Sequence, residues 1–187
     1  MGPAGGWPAS CCTAWVIHFI QALMTTIRSA HPADAAAIAA IYNHYVSTTT
    51  ITFEEAEVGI DDMAGRITKV ISSKLPWLVL EEDGKVLGYA YASKWKERSA
   101  YRFSVESSIY LHREARGKGF ARKLYQHLFN LLRQSGVHLV IGGVALPNEA
   151  SVGLHEKMGF QPVGAFKDVG RKFGRWIDVS YWQLRLE

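Results

Sequence analysis

The spacing of apolar and polar positions changes several times along the chain, and each change marks an element. Thr26 to Ser29 reads as a short strand, and Asp34 begins a helix whose apolar positions Ile38, Ile41, Tyr42 and Tyr45 fall at i, i+3, i+4 and i+7. Thr48-Thr49-Thr50-Ile51-Thr52-Phe53 is rich in β-branched residues and predicts an extended segment. Asp61 and Asp62 put acidic groups into the first turn of a second helix that runs to about Ile71, where the helix dipole favours negative charge. Trp77 to Glu81 and Lys85 to Lys94 flank Asp83-Gly84, a two-residue hairpin signal, and a further strand spans Phe103 to Leu111.

The long helix from Gly119 to Gln134 collects Ala121, Leu124, Tyr125, Leu128, Leu131 and Leu132 on one stripe, with Arg122, Lys123, Gln126, Asn130 and Arg133 opposite. Gly136 ends it. His138 to Ala145 is a buried-looking strand, Asn148 caps a fourth helix, and Gly159 sits where a left-handed residue closes one. Strands at Gln161–Lys167 and Trp176–Arg185 complete the pattern. The alternation predicts an α/β (α+β) domain over residues 24–187, a mixed twisted sheet of about six to seven strands with helices on both faces.

Residues 1–23 differ in kind, because Met1 to Leu23 contain no Asp, Glu, Lys or Arg. They are expected to be an N-terminal extension, a tag or mis-assigned start with Met24 as the native beginning; the alternative is a helical arm packing on a neighbour. Trp15 to Met24 is apolar but shorter than the roughly 20 residues a bilayer span takes, and no positive segment precedes it, so neither membrane nor signal peptide is expected. With 187 residues, 48% hydrophobic and 20% charged, the chain suits one globular domain rather than disorder. A net charge of +4 suits an anionic ligand, and the absence of any basic run of five argues against nucleic acid. The two cysteines, Cys11 and Cys12, are adjacent and lie in the leader. The body therefore offers no thiol for a covalent acyl intermediate, and the chain fits a reducing, cytoplasmic compartment. No metal is expected.

Candidate chemistry concentrates first at Arg116-Gly117-Lys118-Gly119-Phe120-Ala121, between a strand and the long helix. A glycine-bearing turn that feeds a helix N-terminus offers backbone N–H groups without intrahelical partners, about half a positive charge from the dipole, and here two basic side chains. A pyrophosphate fits such a cradle. A Rossmann fingerprint would need a third glycine and an acidic residue about twenty positions on, and a Walker loop would need Ser or Thr where Gly119 follows Lys118.

The spacing Arg-x-x-Gly-x-Ala resembles the acetyl-CoA motif of the GCN5-related N-acetyltransferase (GNAT) superfamily. So does Asn148-Glu149-Ala150-Ser151-Val152-Gly153-Leu154-His155-Glu156-Lys157-Met158-Gly159-Phe160, in which an Asn opens the helix and Gly-Phe closes it. Most members carry tyrosine at the place of His155. With Ser104-Val105-Glu106-Ser107, Leu146-Pro147-Asn148 and Gly170-Arg171-Lys172-Phe173-Gly174-Arg175-Trp176-Ile177-Asp178-Val179, that histidine narrows the resemblance to the phosphinothricin and methionine sulfoximine acetyltransferase group, over Ile27 to Glu187. The resemblance implies the GNAT fold, acetyl-CoA as cosubstrate without a metal, a small amino-acid-like acceptor, and a homodimer. It implies cofactor contacts from the backbone of Ile109, Tyr110 and Leu111, from Arg116, Gly117, Lys118, Gly119, Phe120 and Ala121, and from Asn148. Acceptor contacts are expected from Phe53, Arg102, Lys172, Phe173, Arg175 and Trp176, with Trp95 as a further wall.

Glu106 is the first candidate catalytic residue. An amine attacks a thioester only when unprotonated, so a carboxylate at the reaction centre can take the proton that an amino-acid ammonium must lose. Strand alternation puts Glu106 on a face with Ser104, Ser108 and Tyr110, opposite Val105, Ser107, Ile109 and Leu111. His155 is second, able to take the amine proton, protonate the thiolate or orient a water, and the sequence does not separate these roles. The reading is acetyl transfer to the α-amino group of a small amino-acid analogue by direct attack in a ternary complex. Two alternatives are a protein or peptide N-terminal acetyltransferase, which needs an open acceptor groove, and a non-catalytic acyl-CoA-binding module.

Overall fold

The computed structural model describes Gly2 and residues 25–186. The leader expectation thus falls, Gly2 apart, outside the described residues. Seven strands, β1 (Thr25–Ser29), β2 (Trp77–Glu82), β3 (Lys85–Lys94), β4 (Ser104–Leu111), β5 (Leu139–Ala145), β6 (Gln161–Lys172) and β7 (Arg175–Arg185), form one sheet in the order β1-β2-β3-β4-β5-β7-β6. Every neighbouring pair is antiparallel except β4 with β5. A parallel neighbour requires a crossover, and α3 (Phe120–Gln134) supplies it. The expected mixed sheet with helices on both faces is the architecture observed.

Each face has its own core. α3 and the residues of α4 (Glu149–Lys157) pack on one face, where Leu124, Tyr125, Leu128, Phe129 and Leu132 meet Val105, Val140, Phe160 and Trp182. α1 (Ala35–Thr48) and α2 (Ile60–Ser72) cover the other, with Ile38, Ile41, Tyr42 and Tyr45 against Trp77, Val79 and Tyr89. The sequence stripe on α3 needs one adjustment. Phe120 and Phe129 are buried and Leu131 is exposed, with the Phe129 ring stacked on Tyr125 and packed against Phe160.

Two further expectations are corrected. Thr48–Phe53 is not extended: α1 continues through Thr48, and an irregular loop follows to Gly59. Thr49 and Thr52 there spend their hydroxyls on the Tyr45 carbonyl and the Tyr42 hydroxyl, so side-chain bonds hold the loop where no strand neighbour exists. β6 runs to Lys172 rather than Lys167, and the turn at Phe173-Gly174, both with positive φ, joins it to β7 as a long hairpin.

Candidate active site

The fork between β4 and β5 is the centre of the site. Their parallel pairing covers only Ser104, Val105 and Glu106 against Leu139, Val140 and Ile141. Beyond Glu106, β4 pairs only with β3, through Ser107↔Ala92 to Leu111↔Gly88. The backbone of Ile109, Tyr110 and Leu111 therefore has a side with no strand neighbour. One group there is already engaged, since the Tyr45 hydroxyl donates to the Leu111 carbonyl at 2.7 Å.

Following β4 toward α3, the chain passes through Arg116–Gly119. Gly117 and Gly119 both adopt left-handed φ, +75° and +76°, a conformation that a side chain makes costly. Nothing lies within 4 Å of where a Cβ would stand on either. No side chain caps the N-terminus of α3, so its first N–H groups face outward with the positive end of the helix dipole. Arg116 stacks over Tyr45, while the ammonium groups of Lys118 and Lys123 both approach the Phe120 ring, at 5.8 and 5.7 Å. Uncovered amides and three nearby cations suit the diphosphate of a coenzyme.

Residues 27–181 match the family model described as the acetyltransferase (GNAT) domain. The chain belongs to the GNAT acetyltransferases. It is 44% identical over 162 residues to the phosphinothricin N-acetyltransferase of Alcaligenes faecalis, covering 86% of this chain and 82% of the relative. Identity is 39% over 162 residues to the L-methionine sulfoximine/L-methionine sulfone acetyltransferase of Salmonella typhimurium, covering 87% and 95%. Among solved structures, a phosphinothricin acetyltransferase of Sinorhizobium meliloti in complex with acetyl-CoA superposes with a TM-score of 0.84 at 38% identity, over 87% of this chain and 88% of that one.

In this GNAT acetyltransferase the two candidate catalytic side chains occupy opposite faces of the sheet. Gly142 and Gly143 are consecutive on β5 and so point to opposite sides. A Cβ on Gly142 would overlap His155 Nε2, and one on Gly143 would lie 3.3 Å from Glu106 Oε1. Glu106 shares the α1/α2 side with Tyr110, as the strand alternation predicted. Burial pushes its carboxyl above the usual range, and the Lys96 charge pulls it part of the way back. Lys96 is a cation that sequence reasoning did not single out; its ammonium lies over the Trp95 ring at 4.8 Å.

His155 is 3% exposed and ringed by Tyr125, Phe160 and Trp182. Its Nδ1 donates to the Ser151 carbonyl at 2.8 Å, which leaves Nε2 as a bare lone pair, buried and without a partner. Burial lowers its pKa, with the Ser151 bond opposing in part, so the ring is neutral at physiological pH. Asn148 caps α4, its Oδ1 accepting from Ser151 N at 3.1 Å. Asn148 and His155 thus fix the same turn of helix.

The expected acceptor residues divide. Phe53 lies across Gly170 of β6, its ring 2.5 Å from where a Cβ would stand, and Lys172, 2% exposed, donates to the Thr52 carbonyl at 2.8 Å. These two contacts strap the loop after α1 to the β6–β7 hairpin. Lys172 is a buried tether in this arrangement, its pKa lowered by that burial. Phe173, Arg175 and Trp176 are exposed at the hairpin end. Arg102 folds back on its own turn, bonding the Ser99 carbonyl and stacking on Phe103. The cluster read from sequence therefore divides between buried tethers and an exposed hairpin end. Beside Glu106 stands Tyr181, with Trp95 and Phe166 in edge-to-face contact at 5.9 and 5.6 Å from its ring.

Proposed function

We propose that the protein transfers acetyl from acetyl-CoA to the α-amino group of a small amino-acid analogue of the phosphinothricin, methionine sulfoximine or methionine sulfone type. The observation that carries the reading is the placing of a half-buried carboxylate, Glu106, at the point where the β4–β5 ladder ends, on the strand that leads to the cradle at Gly119. The relatives named above act on such acceptors by name.

Acetyl-CoA supplies an acyl carbon activated by its thioester. Amides at Gly117–Ala121 with Arg116 and Lys118 hold the diphosphate, and the free side of Ile109–Leu111 binds the pantetheine arm. An amide of that segment also polarises the thioester carbonyl. Glu106 accepts the ammonium proton, directly or through one water, and the freed amine attacks from the α1/α2 face. His155, on the other face with its lone pair at Nε2, is a hydrogen-bond acceptor rather than the base for the amine. The described residues contain no cysteine to carry the acyl group, and the amine attacks the thioester directly in a ternary complex. No group of potential metal ligands occurs among the described residues.

The working unit is a homodimer in the cytoplasm. β6 is an edge strand whose Val163, Phe166 and Val169 are all exposed, and Phe173 and Trp176 follow at the turn, a band of apolar surface that a second copy would cover. A partner over that band would also enclose the hairpin residues that one chain leaves open, which favours a small acceptor over a peptide.

The deciding experiment follows CoA thiol release from acetyl-CoA with methionine sulfone, methionine sulfoximine, phosphinothricin and a short peptide. Release that depends on the amino-acid analogues is expected. Release only with the peptide would shift the acceptor class, and CoA binding with no acceptor-dependent release would leave a binding module.

A further inference from the structure

Gly142 and Gly143 stand side by side in mid-strand, where a glycine gives up both packing and strand preference. Gly142 has a packing reason, because His155 fills the place of its side chain. Gly143 has no such reason. Its φ lies outside the left-handed range, so alanine fits the backbone. A Cβ there would sit 3.3 Å from Glu106 Oε1 and 3.6 Å from Tyr181 Cε1, and the residue is exposed between buried Gly142 and Val144.

Three features converge on that point. The last β4–β5 pair, Glu106 with Ile141, ends two residues earlier, so Gly143 lies inside the fork. Tyr181, its partner on β7, also faces Gly164 on β6, so no side chain flanks the ring from either neighbour in its row. Trp95 and Phe166 brace the ring by their edge-to-face contacts. The space above the Gly143 Cα is thus bounded by a carboxylate and an aromatic ring and opens toward the fork.

We propose that the attacking nitrogen seats in the fork above Gly143, where the missing side chain leaves Glu106 and the Tyr181 edge uncovered. The inference rests on the acetyl-transfer reading and narrows it: the nitrogen must be unsubstituted. The nitrogen stands beyond the place a Cβ would take, against the Gly143 Cα, where it donates a hydrogen bond to Glu106. The ammonium gives one proton to Glu106, which passes it to solvent. The N–C bond then forms, the C–S bond breaks with its electron pair left on sulfur, and the second proton leaving nitrogen ends on that sulfur. A methyl group on nitrogen would press against the Tyr181 edge. Gly143 is a specificity-determining and positioning residue, with no catalytic group of its own.

The test uses the full chain as wild type, Gly143→Ala, Glu106→Gln and the double variant, with methionine sulfone and N-methyl methionine sulfone as acceptors. Gly143→Ala should melt within about 2 °C of wild type, bind CoA unchanged by calorimetry, and lose about 100-fold or more in kcat. The double variant should be no slower than Glu106→Gln alone, because both changes disable one event. Wild type should use the N-methyl acceptor at least about 100-fold less well in kcat/KM, a measurement that needs no variant to fold. Wild-type kcat in Gly143→Ala, additive losses in the double variant, or equal use of the N-methyl acceptor would each overturn the seat. A wild type that releases no thiol with any amine would instead overturn the acceptor assignment beneath it.

Discussion

Glu106, half-buried, and His155, buried, have pKa values shifted in opposite directions, each toward its neutral form. Glu106 must be ionised to accept a proton, so kcat/KM should fall as pH drops through its raised pKa, above the ordinary 4.5. Removing the opposing charge with Lys96→Gln should move that acid limb further up, as a pH–rate profile would show. The folded state binds this proton more tightly than the unfolded one, so at neutral pH the partly desolvated charge works against folding. Glu106→Gln should therefore raise Tm slightly while slowing turnover by about 100-fold. His155 is depressed below 6.5, so the unfolded chain binds its proton first and stability is lost as pH falls below that value. Denaturant titrations at pH 7.5 and 5.5 should show a smaller loss in His155→Gln than in wild type. At this scale the sequence pointed to Glu106 and His155 through motif position, but Lys96, Tyr181 and Gly143 carry no local signal. Their relation to Glu106 depends on strand register.

At the scale of elements, the turn into α3 is the part most fully written in the chain. Glycine at 117 and 119 and basic residues at 116 and 118 predict a turn that opens a helix with free N–H groups, and the turn that forms is left-handed at both glycines and without a side-chain cap. Gly119→Ala would force a side chain into φ +76°, costing about 1–2 kcal/mol. Its expected signature is a lower Tm together with weaker CoA binding by calorimetry; full affinity would detach the cradle from the ligand. The loop after α1 shows the limit of local preference. β-branched residues favour strands only where a neighbour accepts the pairing. No strand lies beside Thr48–Phe53, so helix and loop prevail.

For the whole molecule, the open question is what covers β6. Val163 and Val169 are 62% and 53% exposed on an edge strand, an arrangement that invites pairing. Sedimentation should show a dimer that Val163→Asp and Val169→Asp shift toward monomer, with acceptor KM rising as the hairpin loses its cover. A wild-type monomer would refute the homodimer and leave Phe173, Arg175 and Trp176 without an acceptor to meet.

Periodicity, caps and glycine placement were enough to predict most of the elements and the glycine-bearing turn into α3, because each depends on residues adjacent in the chain. Tertiary structure alone decided that Glu106 and His155 lie on opposite faces, that Lys172 is tied to Thr52, and that Gly143 opens a gap beside Glu106. Those relations join strands β4, β5 and β7 and a loop more than a hundred residues from its tether. They are set by register and by where one ladder ends, which no local pattern encodes.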